Sequence, residues 1–253
     1  KDFSEQDLTL STPMELVGFV HIEAGFDNQA PWREIAWLEK SCAQPFRSVA
    51  FIDLTMKSEC FSKQLAKLGQ FNSVAGIRHI LDEDAEALLS SAQVKTNLAL
   101  LAEKELSFDV QMPVANTKAV TLLAQLLSES PKLNVIINHA GWPPSEQVGL
   151  KAWQQGIDRL SQFSQCAIKC SGWEMTEINY STPWLTATIR HCINHFGINR
   201  VMLASNFPLC LFRYSYQDYW QQLITHLYPL LGKETLQQLC FDNAKHWYHL
   251  TMT

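Results

Sequence analysis

No Cys-x-x-Cys, no His-x-His and no long uninterrupted apolar stretch occurs in the 253 residues, and basic charge is in deficit. Each absence excludes a class. Seven cysteines, odd in number and scattered at 42, 60, 166, 170, 192, 210 and 240, make neither a zinc ribbon nor a disulfide framework. They suit reduced thiols in the cytoplasm. A membrane helix needs at least about 18 apolar residues in a row, and no such run exists. The opening KDFSEQDLTLSTPMEL is polar and lacks the apolar core of a signal peptide. A formal net charge of -5 argues against nucleic acid, whose binders carry a basic stripe.

What is present is a rhythm. At 47% apolar, the chain can bury a large core. Short β-branched runs alternate with longer amphipathic ones. Strands are predicted at Gly18–Glu23, Ser48–Leu54, Val74–Leu81, Leu106–Met112, Asn134–Gly141, Cys166–Gly172 and Arg200–Phe207. Helical periods lie between them, the first opening on Pro31, and two more close the chain around Gln217–Leu231 and Glu234–Tyr248. Strand–helix alternation means βαβ units and a parallel sheet. No linker divides the chain, so residues 1–253 read as one domain. A closed (β/α)8 barrel needs eight strands, and residues 1–16 offer none. Periodicity alone leaves an open doubly wound sheet as the alternative.

Polar residues collect at the strand ends: His21 and Glu23, Asp53, Arg78, Asp109 and Gln111, His139, Lys169 and Ser171, then Ser205 and Asn206. Parallel α/β folds build their sites at C-terminal strand ends. The runs VHIEAG, GIRHIL, LSFDVQM, VIINHAGWP, KCSG, LASNFPL and FDNAKHWYHL, in that order, resemble the amidohydrolase-related (amidohydrolase 2) family. The lactonase-like branch is the nearest match. The resemblance spans about Val17 to Leu250. It implies a TIM (β/α)8-type barrel and hydrolysis of a cyclic ester or related bond. It also implies a first strand carrying His-x-His, which would precede Lys1, so the domain reads as N-terminally incomplete. Zinc is expected only if such an upstream segment exists; no other cofactor is. Where many family members have aspartate as the base, this chain has Asn206, and no acid follows SNFPL.

Each candidate carries a structural alternative. His139, between an apolar strand and AGWPP, is placed to polarise a carbonyl or bind a metal; otherwise it bonds a neighbouring loop. Arg78, inside an apolar strand, clamps a substrate carboxylate or closes an internal ion pair with Glu23, Asp53 or Asp109. His21 and Glu23 lie two apart and are expected on one strand face, as base and orienting partner or as a polar core plug. Lys169 is a strand-end lysine or a snorkelling rim residue. Gln111 bonds substrate or a neighbour. Trp142 and Trp173 line the mouth for a sugar-like ring or pack loops. Asn206 can orient water but cannot take its proton. Arg213 meets an anionic substrate, caps the barrel or faces a partner subunit.

Two function classes follow. One is a hydrolase of a sugar-derived or carboxylated lactone, with a small molecule as its partner. The other is an inactive barrel that binds a small acid or acts as a scaffold. A homo-oligomer is compatible with both.

Overall fold

The apolar runs become seven strands in a computed structural model that describes residues 3–251. They are β1 (Phe19–Ile22), β2 (Phe46–Phe51), β3 (Val74–Arg78), β4 (Ser107–Val110), β5 (Val135–Ile137), β6 (Cys166–Cys170) and β7 (Val201–Leu203). All pairs are parallel and follow sequence order, with β1 and β7 as the two edges. The order never reverses, which rules out the doubly wound alternative.

The sheet curls. Val49, Ala75, Ile136, Ala167 and Met202, from β2, β3, β5, β6 and β7, meet in one buried cluster with Tyr248. Strands lie about 4.8 Å apart, so a flat sheet would keep β2 and β7 from sharing a cluster. This is a TIM-type barrel one strand short, with its seam between β1 and β7. The N-terminal segment is tied on both sides of that seam. Glu5 accepts from the backbone of Ala43 and Gln44 ahead of β2, and Ser11 N donates to Gln217 beyond β7. A register shift between β2 and β3 leaves Ala75 as an extra residue, a β-bulge that bends the sheet.

The helices are α1 (Trp32–Ser41), α2 (Ser58–Leu68), α3 (Ala85–Ser90), α4 (Ala92–Glu103) and α5 (Thr117–Glu129). After them come α6 (Leu150–Ser161), α7 (Trp173–Thr176), α8 (Thr182–Phe196), α9 (Tyr216–Gln237) and α10 (Asn243–Trp247). Their apolar stripes pack on the outward strand residues, among them Ile77, Phe108, Ile137 and Ile168. The short α3 and α7 were not expected; six and four residues carry too little periodicity to read.

Several strands end sooner than expected, each for a local reason. β3 stops at Arg78, where the His79 ring takes over by accepting from Leu54 N through Nδ1 at 3.0 Å. β5 stops at Ile137, because His139, Ala140, Gly141 and Trp142 all have positive φ. β7 stops at Leu203, and Asn206 turns the chain with φ 55°.

Candidate active site

Register decides which side chains enter the barrel. Arg78 pairs with Asp109, Asp109 with Ile136, and Ile136 with Ala167 of the interior cluster. Neighbours in register share a face, and side chains alternate along a strand. Gln111, Asn138, Lys169 and Ser171 therefore follow on the same inner face, nearer the C-terminal mouth. The interior is layered: an apolar floor closed by Tyr248, then a polar ring.

The ring begins with Arg78. Its Nε donates to Glu23 Oε1 at 2.8 Å, one terminal nitrogen to the Glu23 carbonyl at 2.9 Å, and the other to Gln111 Oε1 at 3.2 Å. Gln111 passes the chain on to Asp82, 3.3 Å away, whose carboxyl is pushed up by burial despite that bond. Next comes a buried pair: Lys169 Nζ donates to Asp109 Oδ2 at 2.6 Å, and the Tyr248 hydroxyl reaches both Asp109 oxygens at 3.0–3.1 Å. Burial lowers the Lys169 pKa while Asp109 resists. Burial also keeps the Tyr248 phenol protonated, with Asp109 adding to the effect. The Asp109 carboxylate thus accepts from an ammonium and a hydroxyl, the satisfaction a buried charge requires.

His139 sits on four successive left-handed residues, three of them not glycine. Each such non-glycine residue costs about 1–3 kcal/mol and persists only where its surroundings enforce it. Gly172 makes room for the ring: a Cβ there would stand 2.4 Å from His139 Nδ1. Nδ1 lies 3.2 Å from Ser171 Oγ. Burial, then the charges of Lys169 and Arg78, pull the imidazole pKa down to about 3. The ring is neutral near pH 7, a hydrogen-bonding group and a poor base. The Trp142 ring lies 5.6 Å from it. The side-chain amide of Asn138 and the Trp142 Nε1–H are buried without any hydrogen-bond partner.

At the far corner, Asn206 Nδ2 donates to Glu174 Oε1 at 2.6 Å. Glu174 is buried at the start of α7, and desolvation raises its pKa although its own backbone N–H and then Asn206 partly offset this.

The amidohydrolase family model matches residues 4–250. The chain belongs to the amidohydrolase family. An L-fucono-1,5-lactonase from Burkholderia ambifaria is 22% identical over 209 residues, 80% of this chain and 70% of that protein. An amidohydrolase from Burkholderia multivorans with bound HEPES superposes with a TM-score of 0.81 at 17% identity, over 93% of this chain and 84% of that one. A protein named as a 2-pyrone-4,6-dicarboxylic acid hydrolase from Pseudomonas putida gives 0.71 at 20%, over 91% and 81%.

Within this amidohydrolase the predicted residues divide. Arg78, Glu23, Gln111, Lys169 and His139 share the polar ring, with Trp142 beside it. His21 does not join them. It precedes the inward Ile22, faces the helix layer, and bonds Glu34 of α1 at 2.6 Å. The expectation that His21 and Glu23 share a face fails because β1 ends at Ile22 and the chain turns Glu23 toward Arg78. Trp173 does not line the mouth either: it is fully buried, edge-on to Trp184 at 5.8 Å. Lys169 is no snorkelling rim residue but an interior ion pair. Arg213 caps a loop, donating to the carbonyls of Ile178 and Tyr180. Sequence reasoning missed Glu174 and Asn138. The signal for Glu174 was there, an acid just past the KCSG strand end. No acid follows SNFPL in sequence, but Glu174 from the loop after β6 reaches Asn206 in space.

Among the described residues no three His, Cys, Asp or Glu side chains gather as a metal ion requires. Asp109 is already saturated by Lys169 and Tyr248. These residues do not fit a tightly held zinc.

Proposed function

We propose that this amidohydrolase opens the lactone ring of a sugar acid. The observation that carries this reading is the pairing of the mouth cations. Arg78 is held by Glu23, and Lys169 by Asp109. Neither offers a free charge to a substrate carboxylate, which disfavours a carboxylated lactone. Beside the polar ring, the Asn138 amide and the Trp142 Nε1–H are buried without partners, and both are neutral. An unpaired buried amide costs about 1–3 kcal/mol, and ring hydroxyls would relieve it. The Trp142 face suits the C–H side of a sugar ring. The neutral His139, through Nε2–H in the tautomer whose Nδ1 accepts from Ser171, would donate to the ring carbonyl as negative charge develops there. The L-fucono-1,5-lactonase relative points the same way.

A panel of aldonolactones and pyrone carboxylates, followed with a pH indicator, tests the proposal. Opening of neutral aldonolactones in preference to carboxylated rings is expected. If no lactone is opened while aldonic acids still bind, the barrel is a binding protein and the hydrolase reading falls.

A further inference from the structure

We infer that Glu174, oriented by Asn206, is the general base that activates water in this barrel, a role the strand-end asparagine cannot fill. The inference rests on the lactonase reading above and deepens it. An amide at position 206 has no basicity near pH 7. It does have an N–H, and that N–H is directed at a carboxylate: Nδ2 to Glu174 Oε1, 2.6 Å. The carboxylate also accepts from its own backbone N–H, and among the described residues Asn206 is the one side chain that bonds it. Met175 Sδ, 3.3 Å from the same Nδ2, helps fix the amide.

Glu174 stands two residues after Gly172, whose backbone lies against the His139 imidazole. Asn206 comes from the next strand end. The acid that the seventh strand lacks is thus supplied from the loop of the sixth. No neighbouring charge competes with it. The titratable groups acting on it from other elements are Tyr180, Cys210 and Tyr219, all with pKa values raised by burial and so uncharged near pH 7. The Arg213 guanidinium lies over the Tyr180 ring, 4.1 Å from its centre. His139, as a neutral ring with a pKa of about 3, is a far weaker base than a desolvated glutamate.

The step balances without a co-reactant. The Glu174 carboxylate takes a proton from water as the water oxygen bonds to the lactone carbonyl carbon. The tetrahedral intermediate collapses, the ring C–O bond breaks, and Glu174 returns the proton to the departing alkoxide. The product is the open hydroxy acid.

The test uses the whole chain and the aldonolactone that the panel selects. Glu174→Gln keeps the shape and removes the base, so kcat should fall about 100- to 10,000-fold with KM little changed. The acidic limb of the pH–rate profile should vanish. Glu174→Gln combined with Asn206→Asp exchanges amide and carboxylate across the same bond and should recover at least about tenfold over Glu174→Gln alone. A merely structural Glu174 would give neither the lost limb nor the recovery. An active wild type with Glu174→Gln within about threefold of it overturns this inference and leaves the lactonase reading standing. A wild type that opens no lactone overturns both.

Discussion

The two sides of the barrel mouth handle charge in opposite ways. From β3 to β6 each cation is closed by a carboxylate, Arg78 by Glu23 and Lys169 by Asp109. At the β6–β7 corner no cation answers the carboxylate of Glu174, which is bonded by the amide of Asn206 and by its own backbone N–H. Buried pairs make a rigid ring whose charges are already answered. The unmatched acid keeps a pKa displaced toward neutrality and the freedom to exchange a proton. Perturbed carboxylates of that kind mark functional sites more often than compensated pairs do. Asp82, on the first side, is also bonded to an amide and raised by burial, so the comparison assigns architecture to the two closed ion pairs and chemistry to the β6–β7 corner.

If that division holds, removing a member of the closed side should act mainly on stability. Lys169→Met should have the largest effect. It strands the Asp109 carboxylate, fully buried, with only the Tyr248 hydroxyl to answer it. Breaking one partner of a buried pair costs about 3–5 kcal/mol, read as a fall in the urea midpoint with an unchanged m-value. Lys169→Met with Asp109→Asn should recover much of the loss. Arg78→Met should be milder, since Arg78 keeps some contact with solvent and Glu23 lies nearer the rim. A collapse of turnover in Lys169→Met without a loss of stability would break the comparison.

The same division explains what the sequence made legible. The strands were readable because β-branched runs such as NVII and VAFI have no stable alternative among helices with a different period. Arg78 was readable as an oddity, a guanidinium in an apolar strand, and its partner Glu23 stood among the alternatives. His21 misled because strand alternation was carried past Ile22, where β1 ends. Trp173 misled because a tryptophan after a strand end faces the mouth or the helix layer according to the turn that follows, here Gly172 with φ 69°. Glu174 escaped because its meaning depends on Asn206, 32 residues away. Periodicity carries no such pairing.

A second prediction concerns His139, which belongs to the ring by position but resists charge. Its folded pKa of about 3 lies below the ordinary 6.5. Between those values the unfolded chain binds the proton and the native state does not. Stability linked to His139 is therefore complete above pH 6.5 and declines as pH falls toward 3. The full pH-linked loss is on the order of 3–5 kcal/mol. His139→Asn should remove that share of the acid sensitivity, seen by comparing urea midpoints at pH 7 and pH 4. Equal pH slopes in the two proteins would mean that the imidazole titrates normally and that the ring is wetter than its burial implies.

The smallest effect expected is the one that most sharpens the comparison. The Glu174 carboxyl is raised above its ordinary value, chiefly by burial. Over the window above the ordinary 4.5 the native state therefore holds the proton more tightly than the unfolded chain does. By linkage, stability then falls as pH rises through that window and stays lower beyond it. A permanently neutral amide carries no such penalty and can still bond Asn206. Glu174→Gln should thus raise the thermal midpoint modestly at pH 8 and change it little at pH 4. The same substitution is the one expected to lower turnover most. A variant that is more stable and less active is the signature of a group held in an unfavourable state for chemistry. Lys169→Met should show the reverse, and a Glu174→Gln protein destabilised at pH 8 would place Glu174 with the structural pairs instead.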